Sequence, residues 1–301
     1  MISEPSLTIC GASATGYYLG HLLSRYGIPI SHFSLSKPSK FTRVEISSDS
    51  LTNYYKPNIN PLSSYTEFIF ICTKTAKITS YLEAISLSKA RDAIIVFFQN
   101  GINQYNFITS LPCKKHLIGN ISIFSGQFDY SNSKLFLFNE NLRMTLQPHP
   151  LLKKYLSNHL LVPPINDNFK LCYCSSQYKI IFTKLVRSGP HLIYSILHSQ
   201  NIQYLQGMSI EHIIHSIYDE YYSLSTCYCR LGQDYYLSSR LILESLISNH
   251  IYHSALSDYT MSFVNSEYLN IVQNPLRLSY SSNLDMPNTK MVDQFLAHAR
   301  L

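Results

Sequence analysis

Apolar positions in the first half of the chain fall in short unbroken runs, separated by glycine, proline and polar turns. Leu7 to Cys10 is one such run and ends at Gly11; Tyr17, Leu19, Leu22, Leu23 and Tyr26 follow at helical spacing. Gly27 stops that helix, and Pro29-Ile30 leads into a second run, Ile30 to Leu35. Strand, glycine turn, helix and strand in this order predict a βαβ unit. Phe68 to Cys72 and Ala93 to Phe98 are further runs without alternation, with a helix predicted over Ile78 to Leu87 between them. Continuous runs of this kind fit strands buried on both faces of a parallel sheet. Leu117 to Phe124, Leu135 to Phe138 and Leu142 to Leu146 are expected to be later strands of the same sheet.

The pattern changes near Pro163-Pro164. Beyond Leu171 the apolar spacing is almost wholly helical, over Tyr178 to His198, Ile210 to Cys229, Tyr235 to Ser248 and a last helix after Pro287. The expected architecture is an α/β Rossmann-type domain over residues 1–169, followed by an all-α domain over residues 170–301.

Composition narrows the classes. With 46% hydrophobic and 14% charged residues, the chain suits a folded protein with a substantial core rather than a disordered one. The net charge of +6 is spread thinly; Lys114-Lys115 and Lys153-Lys154 are pairs, not a phosphate-binding stripe, so no nucleic-acid partner is expected. No apolar run approaches the roughly 20 residues that cross a bilayer, so no membrane partner is expected. The start, Met1-Ile2-Ser3-Glu4-Pro5, lacks the basic flank and apolar stretch of a signal peptide. An odd count of seven cysteines then points to reduced thiols and a cytoplasmic setting.

Metal-binding patterns do not emerge. Cys172/Cys174 and Cys227/Cys229 are Cys-x-Cys pairs without the spacing of a zinc knuckle. Glu211, His212, His215, Asp219 and Glu220 share one predicted helix, with His250 and His253 on another segment. Neither segment has the Glu-x-x-His signature of a di-metal bundle. These groups read as solvated helix faces, and no metal is expected.

The chemistry concentrates at Gly11-Ala12-Ser13-Ala14-Thr15-Gly16, where the first strand meets the first helix. In a dinucleotide fingerprint the first glycine makes the tight turn, the second lets the backbone approach the pyrophosphate, and the third permits close helix–strand packing. The helix amino terminus then binds the phosphates. Here Ser13 stands at the second position, where its hydroxyl could donate to a phosphate oxygen. An acidic residue at the end of the second strand would favour the ribose of NAD, but none occurs before Glu45. Ser36 and Lys37 are the candidates for a 2′-phosphate, so NADP(H) is the expected cofactor. Lys74 and Asn100, after the next two strands, complete a cofactor-binding set with Gly11, Ser13, Ala14, Thr15 and Gly16.

These pieces, in this order, resemble the ketopantoate reductase family. Cys72-Thr73-Lys74-Thr75 is similar to its strand-end lysine segment, Phe98-Gln99-Asn100-Gly101-Ile102 to its Asn-Gly turn, and Phe182-Thr183-Lys184-Leu185 to the opening of its interdomain helix. Ser266-Glu267-Tyr268 falls where that family has a Thr-Glu-Ile segment. The resemblance implies NADPH-dependent reduction of a 2-oxo acid, ketopantoate to pantoate, in pantothenate biosynthesis. It assigns Lys184 as proton donor, Glu267 as its orienting or substrate-binding partner, and Asn100 as the group aligning carbonyl and nicotinamide. Ser254 and Ser188 would serve the substrate. The chain departs from the family at Ser13 and at Ser188 and Leu192, where asparagines are usual, and Gly189-Pro190 is expected to kink the helix after Lys184. A non-catalytic relative that binds a nucleotide or acts as an interaction protein is the alternative. Six tyrosines of the helical half (Tyr218, Tyr221, Tyr222, Tyr228, Tyr235 and Tyr236) suggest a homodimer.

Overall fold

The computed structural model describes residues 6–35, 43–48, 52–62, 65–73, 77–99, 116–122, 125–129, 131–139, 141–160, 169–248 and 269–298. They divide into two units, one of residues 6–99 and 116–175 and one of residues 176–298.

The first unit contains β1 (Leu7–Cys10), α1 (Ala14–Arg25), β2 (Ile30–Phe33), β3 (Val44–Ser47), β4 (Thr52–Tyr55), β5 (Phe68–Ile71), α2 (Ile78–Ser86) and β6 (Ile94–Phe97). It continues with β7 (His116–Ser122), β8 (Ser125–Asp129), β9 (Lys134–Asn139), β10 (Leu142–Leu146), α3 (Pro150–His159) and β11 (Phe169–Tyr173). Its main sheet has the order β2-β1-β5-β6-β7-β10-β11. The first five strands are parallel; β10 runs antiparallel to β7, and β11 is parallel to β10. The runs Phe68–Ile71 and Ile94–Phe97 are buried at every position, as strands covered on both faces must be. Thr8 and Ser31 are among the polar residues buried in this core, and their hydroxyls meet at 2.7 Å.

Leu135–Phe138 does not join the main sheet. It belongs to β9, in a second sheet of order β4-β3-β9-β8. Leu135 and Leu137 are buried while Phe136 is 41% exposed, so this sheet has one face toward the core and one toward water. An apolar run reports that a strand is half or wholly buried, not which sheet it enters. The expected boundary near residue 169 also shifts: β11 pairs with β10 from Leu142↔Phe169 to Leu146↔Tyr173, and the division falls at Ser175/Ser176.

The second unit is helical, with α4 (Gln177–Ser199), a hairpin of β12 (Tyr204–Leu205) and β13 (Met208–Ser209), α5 (Ile210–Tyr228), α6 (Gln233–Ser248), a π-turn over Leu269–Gln273, α7 (Asn274–Ser281) and α8 (Pro287–His298). Ser176 and Ser209 cap α4 and α5 by accepting the backbone amides of Lys179 and His212. The α4 helix runs through Gly189-Pro190 without ending there. Gly189 is required by close approach: a Cβ on it would lie 2.6 Å from the Tyr221 ring of α5.

The tyrosines do not form a free aromatic surface. Tyr218 and Tyr221 are fully buried, and the hydroxyl of Tyr221 donates to the carbonyl of Ile271. Tyr218 donates to the Tyr236 carbonyl at 2.7 Å, Tyr222 to that of Leu231 at 2.9 Å, and Tyr228 stacks on Phe182. Buried phenols need such partners, and here the unit's own backbone supplies them.

Candidate nucleotide site

In an open α/β sheet a ligand binds outside the carboxyl ends of the strands, where the order reverses direction. That point lies at β1, whose neighbours are β2 on one side and β5 on the other. The turn leaving β1 is tied to both: the Gly11 amide donates to the Phe33 carbonyl at 3.0 Å, and the Cys72 amide donates to the Cys10 carbonyl at 2.8 Å. Gly11 has φ +112°, open to glycine and strained for other residues. A Cβ there would lie 3.0 Å from the Cys72 carbonyl oxygen, and one on Gly16 would lie 2.6 Å from the Gly11 carbonyl oxygen. Both glycines of the fingerprint are thus needed for backbone to pack on backbone.

Ser13 behaves differently from its sequence expectation. It is the N-cap of α1 in extended geometry, and its Oγ accepts the Gly16 amide at 3.1 Å. The same hydroxyl donates to the Cys72 carbonyl at 2.5 Å, so its proton is engaged by protein and not held out toward a phosphate. Beyond the cap, the Ala14 and Thr15 amides meet no acceptor among the described residues. Gln99 extends the same anchoring from β6. Its side-chain amide donates to the carbonyls of Ile71 at 2.9 Å and Thr73 at 3.0 Å. The Gln-Asn-Gly segment drew attention in the sequence through Asn100, while the buried glutamine beside it is the residue that fixes the end of β5. At the end of β2, the Leu35 amide donates to the hydroxyl of Tyr81 on α2, 3.4 Å away, and burial raises the pKa of that phenol.

A glycine-lined turn that a Cβ would fill, at the amino end of a helix with two available amides, fits the pyrophosphate of a dinucleotide. Gly11, Ser13, Ala14, Thr15 and Gly16 come together there. Ser36, Lys37, Lys74, Asn100, Ser254 and Glu267 lie outside the described residues. In the second unit Lys184 and Ser188 are half-buried on α4, one turn apart. Next to Lys184, the Thr183 carbonyl accepts the hydroxyl of Tyr235, whose pKa burial pushes up to about 12. Leu192 is wholly buried and packs in the core.

The acidic stretch of α5 is not a uniformly solvated face. Asp219 accepts the Tyr236 hydroxyl at 2.7 Å and pairs with Arg240 at 3.4 Å. Glu220 takes four hydrogen bonds at the start of α8, from the amide and side chain of Asn288 (2.7 and 2.8 Å) and of Thr289 (2.9 and 2.6 Å). No signal in the sequence links these positions, which lie 68 and 69 residues apart.

The model of the ketopantoate reductase PanE/ApbA family matches residues 7–143. Over residues 7–143 the chain is therefore similar to the ketopantoate reductase PanE/ApbA family. Solved structures extend the fold of that family over the rest. The PanE/ApbA family ketopantoate reductase from Ralstonia eutropha JMP134 superposes with a TM-score of 0.75 at 15% identity, covering 97% of each chain. The 2-dehydropantoate 2-reductase from Geobacter metallireducens GS-15 gives 0.76 at 15% identity, covering 97% of this chain and 99% of that one. A D-mandelate dehydrogenase in ternary complex with NADH and anilino(oxo)acetate gives 0.74 at 16% identity, covering 97% of each chain. Comparison with the curated proteins gives no match. Among the described residues no helix is long and apolar enough to cross a membrane.

Proposed function

We propose that the protein is a cytoplasmic NADPH-dependent reductase of a 2-oxo acid, ketopantoate or a related compound in pantothenate biosynthesis. The observation that carries this reading is the glycine cradle between the ends of β1 and β5, set within the stretch matched by the ketopantoate reductase family. The D-mandelate dehydrogenase bound to NADH and anilino(oxo)acetate supports both the cofactor class and the substrate class. Bound NADPH would supply a hydride to the substrate carbonyl. The Ala14 and Thr15 amides would hold the pyrophosphate, with Ser36 and Lys37 at the 2′-phosphate and Lys74 and Asn100 toward the nicotinamide end. Reduction leaves negative charge on the carbonyl oxygen, which calls for a proton donor. Lys184 is assigned that proton, Glu267 the orientation of Lys184 or a substrate hydroxyl, and Asn100 the alignment of the carbonyl. Ser254 and Ser188 would contact the substrate. A dimeric ketopantoate reductase from Staphylococcus aureus shares the fold and supports a homodimer.

The test is oxidation of NADPH by the purified protein with a panel of 2-oxo acids that includes ketopantoate. Lys184→Ala should lower turnover by about a thousandfold while leaving NADPH affinity in place. Unchanged turnover would remove Lys184 from the chemistry. A second reading, a nucleotide-binding member without catalysis, is favoured by Leu192, a core residue where the family carries an asparagine. NADPH binding without turnover on any 2-oxo acid is the result that would select it.

A further inference from the structure

We propose that the Ser13 hydroxyl stands in for a phosphate oxygen at the amino end of α1 and so sets the affinity of the nucleotide site, an inference that rests on the nucleotide reading above. Three amides open α1 before the first intrahelical bond, which runs from Tyr17 to the Ser13 carbonyl at 2.9 Å. The third of these, Gly16, is taken by the Ser13 oxygen at 3.1 Å. A glycine at position 13 would leave it open to a ligand anion.

The serine is held from both directions. Its proton goes to the Cys72 carbonyl at 2.5 Å, and that carbonyl cannot follow if the side chain turns away. The carbonyls on either side of it, Ile71 and Thr73, are both bonded by Gln99, and the Cys72 amide is bonded by Cys10. A pyrophosphate oxygen can therefore reach the Gly16 amide only by displacing Ser13 and breaking both of its hydrogen bonds. Otherwise the phosphates are held by Ala14 and Thr15 alone. Hydrogen bonds to an ionised oxygen are roughly twice as strong as those between neutral groups, so phosphate is the better acceptor for Gly16. Ser13 keeps the turn assembled when no nucleotide is bound, at a cost in affinity when one arrives.

Ser13→Ala removes the hydroxyl and keeps the Cβ, which isolates the effect. The free variant should melt about 2–4 °C lower through loss of the cap. Calorimetric titration should show NADPH bound about three- to tenfold more tightly than by the native chain. Ser13→Gly should shift affinity the same way with a smaller loss in melting temperature, since glycine is an acceptable N-cap, and it decides the matter if the alanine variant does not fold. Gln99→Ala loosens the same strand end without freeing Gly16, so it should lower the melting temperature and leave NADPH no tighter. If the Ser13 variants bind NADPH no more tightly than a native chain that does bind it, the role of Ser13 is overturned and the nucleotide reading stands. Tightening by Gln99→Ala to the same degree would overturn it too. If neither the native chain nor the variants take up NADPH or NADH, the nucleotide reading fails and the role of Ser13 fails with it.

Discussion

The amino ends of α1 and α8 pose one physical problem and solve it in opposite ways. Neither helix carries an acidic residue in its own first turn, so neither offsets the positive end of its dipole from within. At α8, Pro287 has no amide to satisfy, and the next two amides, those of Asn288 and Thr289, both reach the Glu220 carboxylate from α5. The first intrahelical bond, Lys290 to the Met286 carbonyl at 3.0 Å, begins where Glu220 stops, so this end is closed by the protein's own anion. At α1 a neutral hydroxyl covers one amide, and two meet no acceptor among the described residues. A helix amino terminus is a positive site wherever it occurs. Whether a ligand can use it depends on whether the fold has already brought a carboxylate there.

The largest effect should come from closing the open end sterically. Gly16→Ala puts a methyl group 2.6 Å from the Gly11 carbonyl oxygen, a backbone atom fixed by the sheet on both sides. The turn must shift, which should cost about 3 kcal/mol in urea unfolding and weaken NADPH by more than about tenfold. Gly27→Ala at the other end of α1 is the matched control. It has φ +73° and nothing within 4 Å, so it should cost about 1 kcal/mol of strain and leave NADPH affinity alone. Equal losses of affinity in the two variants would mean that the cradle at Gly16 does not hold the nucleotide.

At the closed end, Glu220→Ala strands four donors at once. The expected loss is about 2–3 kcal/mol, limited because the site is only half-buried and water can replace part of what is removed. Glu220→Gln keeps one acceptor oxygen and should cost less. Urea midpoints for the two variants would show this order. A loss below about 0.5 kcal/mol for the alanine variant would place Glu220 among ordinary surface carboxylates and break the contrast with α1.

The two ends also differ in how far they could be read from residue order. The strand, glycine turn and helix at Leu7–Arg25 are local, and the fingerprint needs residues only a few positions apart, so the cradle was legible. Its three-dimensional partners were not: the Cys72 carbonyl lies 59 residues from Ser13, and the hydrogen bond between them reverses the expected use of the serine hydroxyl. Glu220 and Asn288 are joined only by helix packing, which periodicity cannot specify. The same limit explains why β9 joins the second sheet and not the main one, and why the backbone partners of Tyr218 and Tyr222 could not be read from spacing. Burial and period are written locally; the partner on the other side of a contact is not.

The smallest effect would sharpen the comparison from behind the helices. The buried face of α8 presents Thr289, Met291, Val292 and Leu296, none of which titrates. The buried face of α1 packs on His32, whose Nε2 meets the Tyr55 hydroxyl at 2.7 Å and whose ring lies 5.5 Å from that of Tyr17. Burial lowers the pKa of His32 from 6.5 to about 3, and burial together with nearby Arg25 lowers that of His21 on α1 to about 4. Because the folded state holds both imidazoles neutral, their contribution is complete above pH 6.5 and is lost as the pH falls from there toward the folded values. Between pH 7 and pH 5 His32 alone should remove about 2 kcal/mol of stability, with His21 acting in the same direction. Urea midpoints at the two pH values should therefore converge in His32→Gln by roughly that amount. Amide-exchange protection factors should fall in α1 before they fall in α8. Equal loss in both helices would mean that acid acts on the whole molecule, and that the histidines behind the open end are not what makes it the more labile of the two.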